Sequence, residues 1–60
     1  MVIIYDGELW EIIDGSIKGI DSSLLADLKD SQPNRIIMIQ KCSDSRIKGN
    51  ISLRNIQLVN

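Results

Sequence analysis

The 60-residue chain has no histidine and no phenylalanine, a single cysteine and a single proline, with Tyr5 and Trp10 as its only aromatic residues. Each scarcity excludes something. Without histidine, a general base near neutral pH would have to be a raised carboxylate, a depressed lysine or the Cys42 thiolate, each needing burial beside a tuned partner. One cysteine without histidine builds neither an internal disulfide nor a Cys/His metal site. A chain this short buries only about 60% of the surface its unfolded form exposes, and small domains usually compensate with such staples. Oligomerisation or a strongly aliphatic core must take their place. No apolar run approaches the roughly 18 residues of a membrane span, and Asp6 and Glu8 stand where an export signal would be basic. The chain therefore reads as a complete, cytoplasmic, single small domain over residues 1–60, and a lone cysteine agrees with a reducing compartment. In that setting the glycosylation sequon Asn50-Ile51-Ser52 is a chance match.

What is present is 43% hydrophobic and 25% charged, a globular composition whose core must be built from Ile, Leu, Val and Met. Branched side chains of this kind suit a pleated sheet. The net charge of −1 conceals an asymmetry. Residues 1–30 carry seven acidic and two basic side chains, and residues 31–60 carry one acidic and five basic ones. Such a division either polarises a molecule or marks two halves that pair and neutralise each other.

Asp-Gly occurs twice, at Asp6-Gly7 and Asp14-Gly15. Both residue types tolerate the positive φ that a type I′ hairpin turn demands, so the pair predicts a three-stranded meander with strands near 1–5, 8–13 and 16–20. Counting outward from the first turn sets Tyr5 against Glu8, Ile4 against Leu9, Ile3 against Trp10 and Val2 against Glu11. From the second, Glu11 meets Lys18, Trp10 meets Gly19 and Leu9 meets Ile20. Alternation then sorts the side chains into two faces. Met1, Ile3, Trp10, Ile12 and Ile17 form the expected core face. Val2, Ile4, Leu9 and Ile20 share the other with Glu11 and Lys18, so part of this second face needs a cover.

Residues 21–30, DSSLLADLKD, predict a short helix that supplies this cover. Asp21, Ser22 or Ser23 can cap it, Ile20 and Leu25 are spaced as a hydrophobic staple, and Leu24, Leu25 and Leu28 make one stripe that ends before Pro33. RIIMIQKC, residues 35–42, is apolar on both alternating faces and reads as a central strand, with Cys42 as a small buried hydrophobe. Beyond a turn at 43–45, Ile47, Ile51 and Leu53 share odd parity and Ile56 and Leu58 even parity. A strand near 50–54, a tight turn at 54–56 and a final strand at 57–59 account for the slip.

In this last part, ISLRNIQLV resembles the ending of the five-stranded barrels of the Src-homology-3-like group, in which one tight helical turn joins a late strand to a short final one. The resemblance implies an α+β fold, a small bent antiparallel sheet or such a barrel, here with one short helix that the plainest form of the group lacks. It implies no single function, since these barrels serve peptide binding, nucleic-acid binding and subunit docking alike.

Chemical motifs yield little. Ser45-Arg46-Ile47-Lys48 fits the Ser-x-x-Lys pattern of some acyl-transfer enzymes without its partner motifs. Gly15 and Gly19 flank Lys18 at the wrong spacing for a phosphate loop, and Lys18 is better read as the partner of Glu11. Asp6, Glu8, Glu11 and Asp14 contain oxygen ligands enough for a divalent cation, but the register sends Asp6 and Asp14 to opposite ends of a strand. The expected function is therefore non-enzymatic and cofactor-free, with no metal, no membrane and no small-molecule substrate. It is docking on another protein or on a second copy, as a small inhibitor or adaptor, through Val2, Ile4, Leu9 and Ile20 or an open sheet edge. The alternative is nucleic-acid binding by Arg35, Lys41, Arg46, Lys48 and Arg54, if these gather on one rim.

Overall fold

The computed structural model describes residues 1–17 and 19–59. Strand β1 (Val2–Tyr5) turns into β2 (Glu8–Ile12) through Asp6 and Gly7, whose φ angles of 54° and 74° are both in the left-handed region. That is the type I′ geometry the dipeptide favours, and it sets the predicted register, with Ile3 opposite Trp10 and Ile4 opposite Leu9.

The second Asp-Gly behaves differently. Gly15 opens a 3-10 turn, Gly15–Ile17, and among the described residues of 16–20 no third strand follows. The Asp14 carboxylate accepts from both the backbone N–H (2.9 Å) and the hydroxyl (2.6 Å) of Ser16, a local turn that competes with a hairpin. The partner of β2 is instead β3 (Ile36–Lys41), so Trp10 faces Lys41 rather than Gly19, and Glu11 faces Gln40. The expected Glu11 contact with Lys18 falls on a residue outside the described ones. At the end of β2, Ile13 N–H donates to Met38 C=O (3.1 Å) and Met38 N–H donates to the Asp14 carboxylate (3.2 Å). A side chain thus extends the ladder by one rung where the backbone departs.

Helix α1 (Ser22–Ser31) lies between β2 and β3 in sequence. Its N-cap is Asp21, whose carboxylate accepts from Leu24 N–H (2.9 Å), and it ends ahead of Pro33 with Gln32 N–H bonded to Leu28 C=O. Strand β4 (Lys48–Ser52) then pairs antiparallel with β3, a second 3-10 turn spans Leu53–Asn55, and β5 (Gln57–Leu58) returns to β1. The turn at Leu53–Asn55 is the physical origin of the parity slip. The fold is thus α+β, one helix with a five-stranded antiparallel sheet in the order β4-β3-β2-β1-β5. The sheet is not closed into a barrel, because β4 and β5 remain its two edges.

The core lies against one face only. Ile3, Ile37, Ile39 and Ile51 project from the sheet onto Ile17, Leu25, Leu53 and Ile56, all buried. Trp10, Ile12, Ile20 and Leu28 pack around them, half-buried, whereas Met1 and Leu24 are exposed. Helix α1 therefore covers the inner face and leaves the other bare. Lys29 Nζ donates to Ile56 C=O (2.7 Å) and Arg54 N–H to Pro33 C=O (3.0 Å), which hold the helix exit and the second 3-10 turn together at one end of the sheet. Cys42, expected inside, is exposed. Lys41 occupies the inner face beside Trp10, so alternation turns the next residue outward.

Candidate docking surface

The outer face is assembled by the register. Val2 and Ile4 of β1 lie beside Glu11 and Leu9 of β2, Glu11 beside Gln40 of β3, and Gln40, Met38 and Ile36 beside Lys48, Asn50 and Ser52 of β4. Four apolar side chains on this face are open to solvent, Val2 at 40%, Leu9 at 51%, Ile36 at 58% and Met38 at 48% of full exposure. A polar row of Glu11, Gln40 and Lys48 crosses between them, and Gln40 Nε2 donates to Glu11 Oε2 at 3.3 Å. Single exposed apolar residues are ordinary on a soluble domain. The four fall in two groups on one sheet face, Val2 and Leu9 around Ile4 on β1 and β2 and Ile36 with Met38 on β3, with the polar row between them.

Of the residues expected at an interface, Val2, Ile4 and Leu9 do share this face, with Ile4 half-buried. Ile20 does not join them, because the strand that would have aligned it with Leu9 is absent, and it packs on the core ahead of α1. Ile36 and Met38 were missed. The run RIIMIQKC carries no mark of which face is covered, and the available signal was the shortage of covering elements, one 10-residue helix for two apolar faces.

The five basic residues are dispersed. Arg35, just before β3, donates to Ser16 Oγ (2.8 Å) and Gln32 Oε1 (3.3 Å). Lys41, at the far end of that strand, pairs with Glu8 at 2.6 Å and lies 5.9 Å from the Trp10 ring. Arg46 grips both carboxylate oxygens of Asp44 at 3.0 Å each, which holds the Asp44 carboxyl below its ordinary range and raises the Arg46 guanidinium. Lys48 is on the outer face and Arg54 in the second 3-10 turn. With β3 contributing about 3.4 Å per residue, Arg35 and Lys41 are about 20 Å apart, and the five do not share one rim. The acidic and basic halves of the sequence meet where β2 lies beside β3.

The remaining chemistry is internally satisfied. Trp10 Nε1 donates to Tyr5 C=O (3.1 Å), and the two rings meet edge to face at 6.0 Å. A hollow of about 530 Å³ lies between the end of β2 and the segment after it, lined among others by Met1, Ile13, Ile17 and Ile20 with Glu11 and Asp14. Its carboxylates are engaged. Asp14 is held below its ordinary pKa first by the Ser16 hydroxyl, then by the N–H groups of Ser16 and Met38. Among the described residues no three acidic or cysteine side chains gather as a metal site, and no buried side-chain polar atom lacks a hydrogen-bond partner. Among the described residues no helix is long and apolar enough to cross a membrane.

Compared with protein-family models, with curated proteins and with solved structures, the chain matches none.

Proposed function

We propose that the protein is a non-enzymatic docking module that binds a protein partner, another chain or a second copy, through the outer face of its sheet, in the manner of a small inhibitor or adaptor. The observation that carries this reading is the exposure of Val2, Leu9, Ile36 and Met38 on one sheet face, opposite the face against which the buried core is packed. Burying an exposed apolar side chain on association is worth about 25 cal/mol per Å² of area removed from water, before the cost of association is subtracted. Two apolar groups, Val2 with Leu9 and Ile36 with Met38, supply the anchors on either side of the polar Glu11, Gln40 and Lys48.

The strand order and the 3-10 turn between β4 and β5 support reading the architecture as the Src-homology-3-like arrangement left open between those strands. A reducing, cytoplasmic setting suits the exposed Cys42 thiol. Nothing in the placement of the basic residues favours nucleic acid.

The test is affinity capture from the source cells with the wild-type chain and with the double variant Leu9→Glu/Met38→Glu, alongside far-UV circular dichroism to verify folding. The reading expects a specific partner that the folded double variant loses. Partners retained equally by both chains would overturn it.

A further inference from the structure

Among the described residues, strand β4 leaves one row of backbone groups without a partner strand. Lys41 N–H donates to Ile47 C=O and Leu53 N–H to Arg35 C=O, both at 2.9 Å, and these two rungs fix the phase of the β3–β4 ladder. In an antiparallel pair such rungs recur at every second residue, so Gly49 and Ile51 turn their N–H and C=O groups toward β3. Lys48, Asn50 and Ser52 turn theirs away from the sheet. Among the described residues none of these outward groups has a partner in β3, although the Ser52 C=O, at the N-cap of the second 3-10 turn, is committed to that turn.

A second observation concerns Gly49. A glycine inside a strand weakens it and often marks the place where another backbone approaches. The fold gives no reason of its own for this one. Its φ is not among the positive ones, and a Cβ built there would meet nothing within 4 Å.

We infer that β4 is the seam of a two-fold dimer, in which the edge strands of two copies pair antiparallel about Asn50 and join their sheets into one. The inference goes beyond the docking reading above, since the seam uses the sheet edge and leaves the outer face of both copies open. Centred on Asn50, the pairing lets the two Asn50 residues exchange both hydrogen bonds, while the Ser52 N–H of each copy donates to the Lys48 C=O of the other. Gly49 comes opposite Ile51 of the second copy, where the missing side chain leaves the inner side of the seam free for close approach.

The charges favour this register. Lys48, the only charged residue of the strand, lands opposite Ser52 instead of its own copy, so the two lysines stand at opposite ends of the seam. The outer faces of the two copies become one surface, with the polar Asn50 pair between the two Met38 side chains. The symmetry also closes the assembly. The other sheet edge, β5, is only two residues long and offers little ladder for an open head-to-tail array.

The experiment uses the full chain in a Cys42→Ser background, with sedimentation velocity across a concentration series and oxidative crosslinking. Asn50→Cys places its two thiols on the axis, where the Cα atoms of a hydrogen-bonded pair lie about 5.5 Å apart, within disulfide reach. Lys48→Cys stands about 13 Å or more from its own copy and is not bridged. The inference expects concentration-dependent dimers, disulfide-linked dimer for Asn50→Cys and not for Lys48→Cys, and a monomer of unchanged circular dichroism for Asn50→Pro. Proline is tolerated on an edge strand whose N–H faces solvent, so that variant tests the seam without removing an internal rung. A dimer that survives Asn50→Pro, or equal crosslinking of both cysteine variants, would overturn the seam. A chain that stays monomeric throughout overturns the second copy as partner, and if its captured partner is still lost on Leu9→Glu/Met38→Glu the docking reading stands without it.

Discussion

Ile37 and Met38 are neighbours on β3, yet Ile37 has no exposed surface and Met38 keeps nearly half of its own. The same contrast separates Ile3 from Val2 on β1, and on β2 the half-buried Trp10 from Leu9. Strand alternation gives both faces apolar side chains. What differs is what covers them. The inner face receives α1, two 3-10 turns and Ile56, and the outer face receives nothing from the described chain. Hydrophobicity on a strand is therefore not evidence of burial until a covering element has been assigned to it.

The largest expected effect is the one that breaks the inner face. Ile37→Ala removes a fully buried side chain and should cost about 2–5 kcal/mol. A 60-residue domain holds only roughly 3–9 kcal/mol in total, so the urea midpoint should fall by a large part of its wild-type value. Ile36→Ala, one residue away on the outer face, should stay within about 0.5 kcal/mol of wild type in the same assay. Equal losses at the two positions would remove the distinction between the faces.

A smaller effect concerns how α1 is held over the inner face. Asp21→Ala deletes the cap that accepts from Leu24 N–H, and should cost about 1 kcal/mol, read as a lowered thermal midpoint. Restoration by Asp21→Ser would separate capping from charge.

The smallest is a dependence on pH. Asp14 and Asp44 both have folded pKa values below their ordinary ones, lowered chiefly by the Ser16 hydroxyl and by Arg46. The stabilisation they confer is complete above their unfolded pKa of about 3.9 and is lost as pH falls through the lower folded values. Thermal midpoints should therefore decline below about pH 4. Asp14→Asn should flatten part of that decline, because the carboxylate that completes the β2–β3 ladder no longer titrates.

The two Asp-Gly pairs also show how far local signals reach. The first hairpin, the Asp21 cap, the stop before Pro33 and the slip after Leu53 depend on neighbours in sequence, and each was legible there. The turn at Asp14 was not. Its dipeptide serves a hairpin or a side-chain turn, and Ser16 two residues on was the local hint of the second. The deciding fact is non-local, since the Ile-rich β3 pairs with β2 in place of a segment carrying Gly19, whose φ is 85°. That exchange moved Ile20 from the candidate surface to the core. It also brought Ile36 and Met38 into the surface, where no feature of RIIMIQKC could have placed them.

The most direct test of the division between the faces compares Met38→Glu with Ile37→Glu in urea denaturation, at a concentration where sedimentation shows a monomer. The account predicts that Met38→Glu unfolds within about 0.5 kcal/mol of wild type and that Ile37→Glu, which buries an unpaired carboxylate, fails to fold. A comparable loss of stability at Met38 would mean that the outer face serves the protein's own core, and would contradict its assignment as a docking surface.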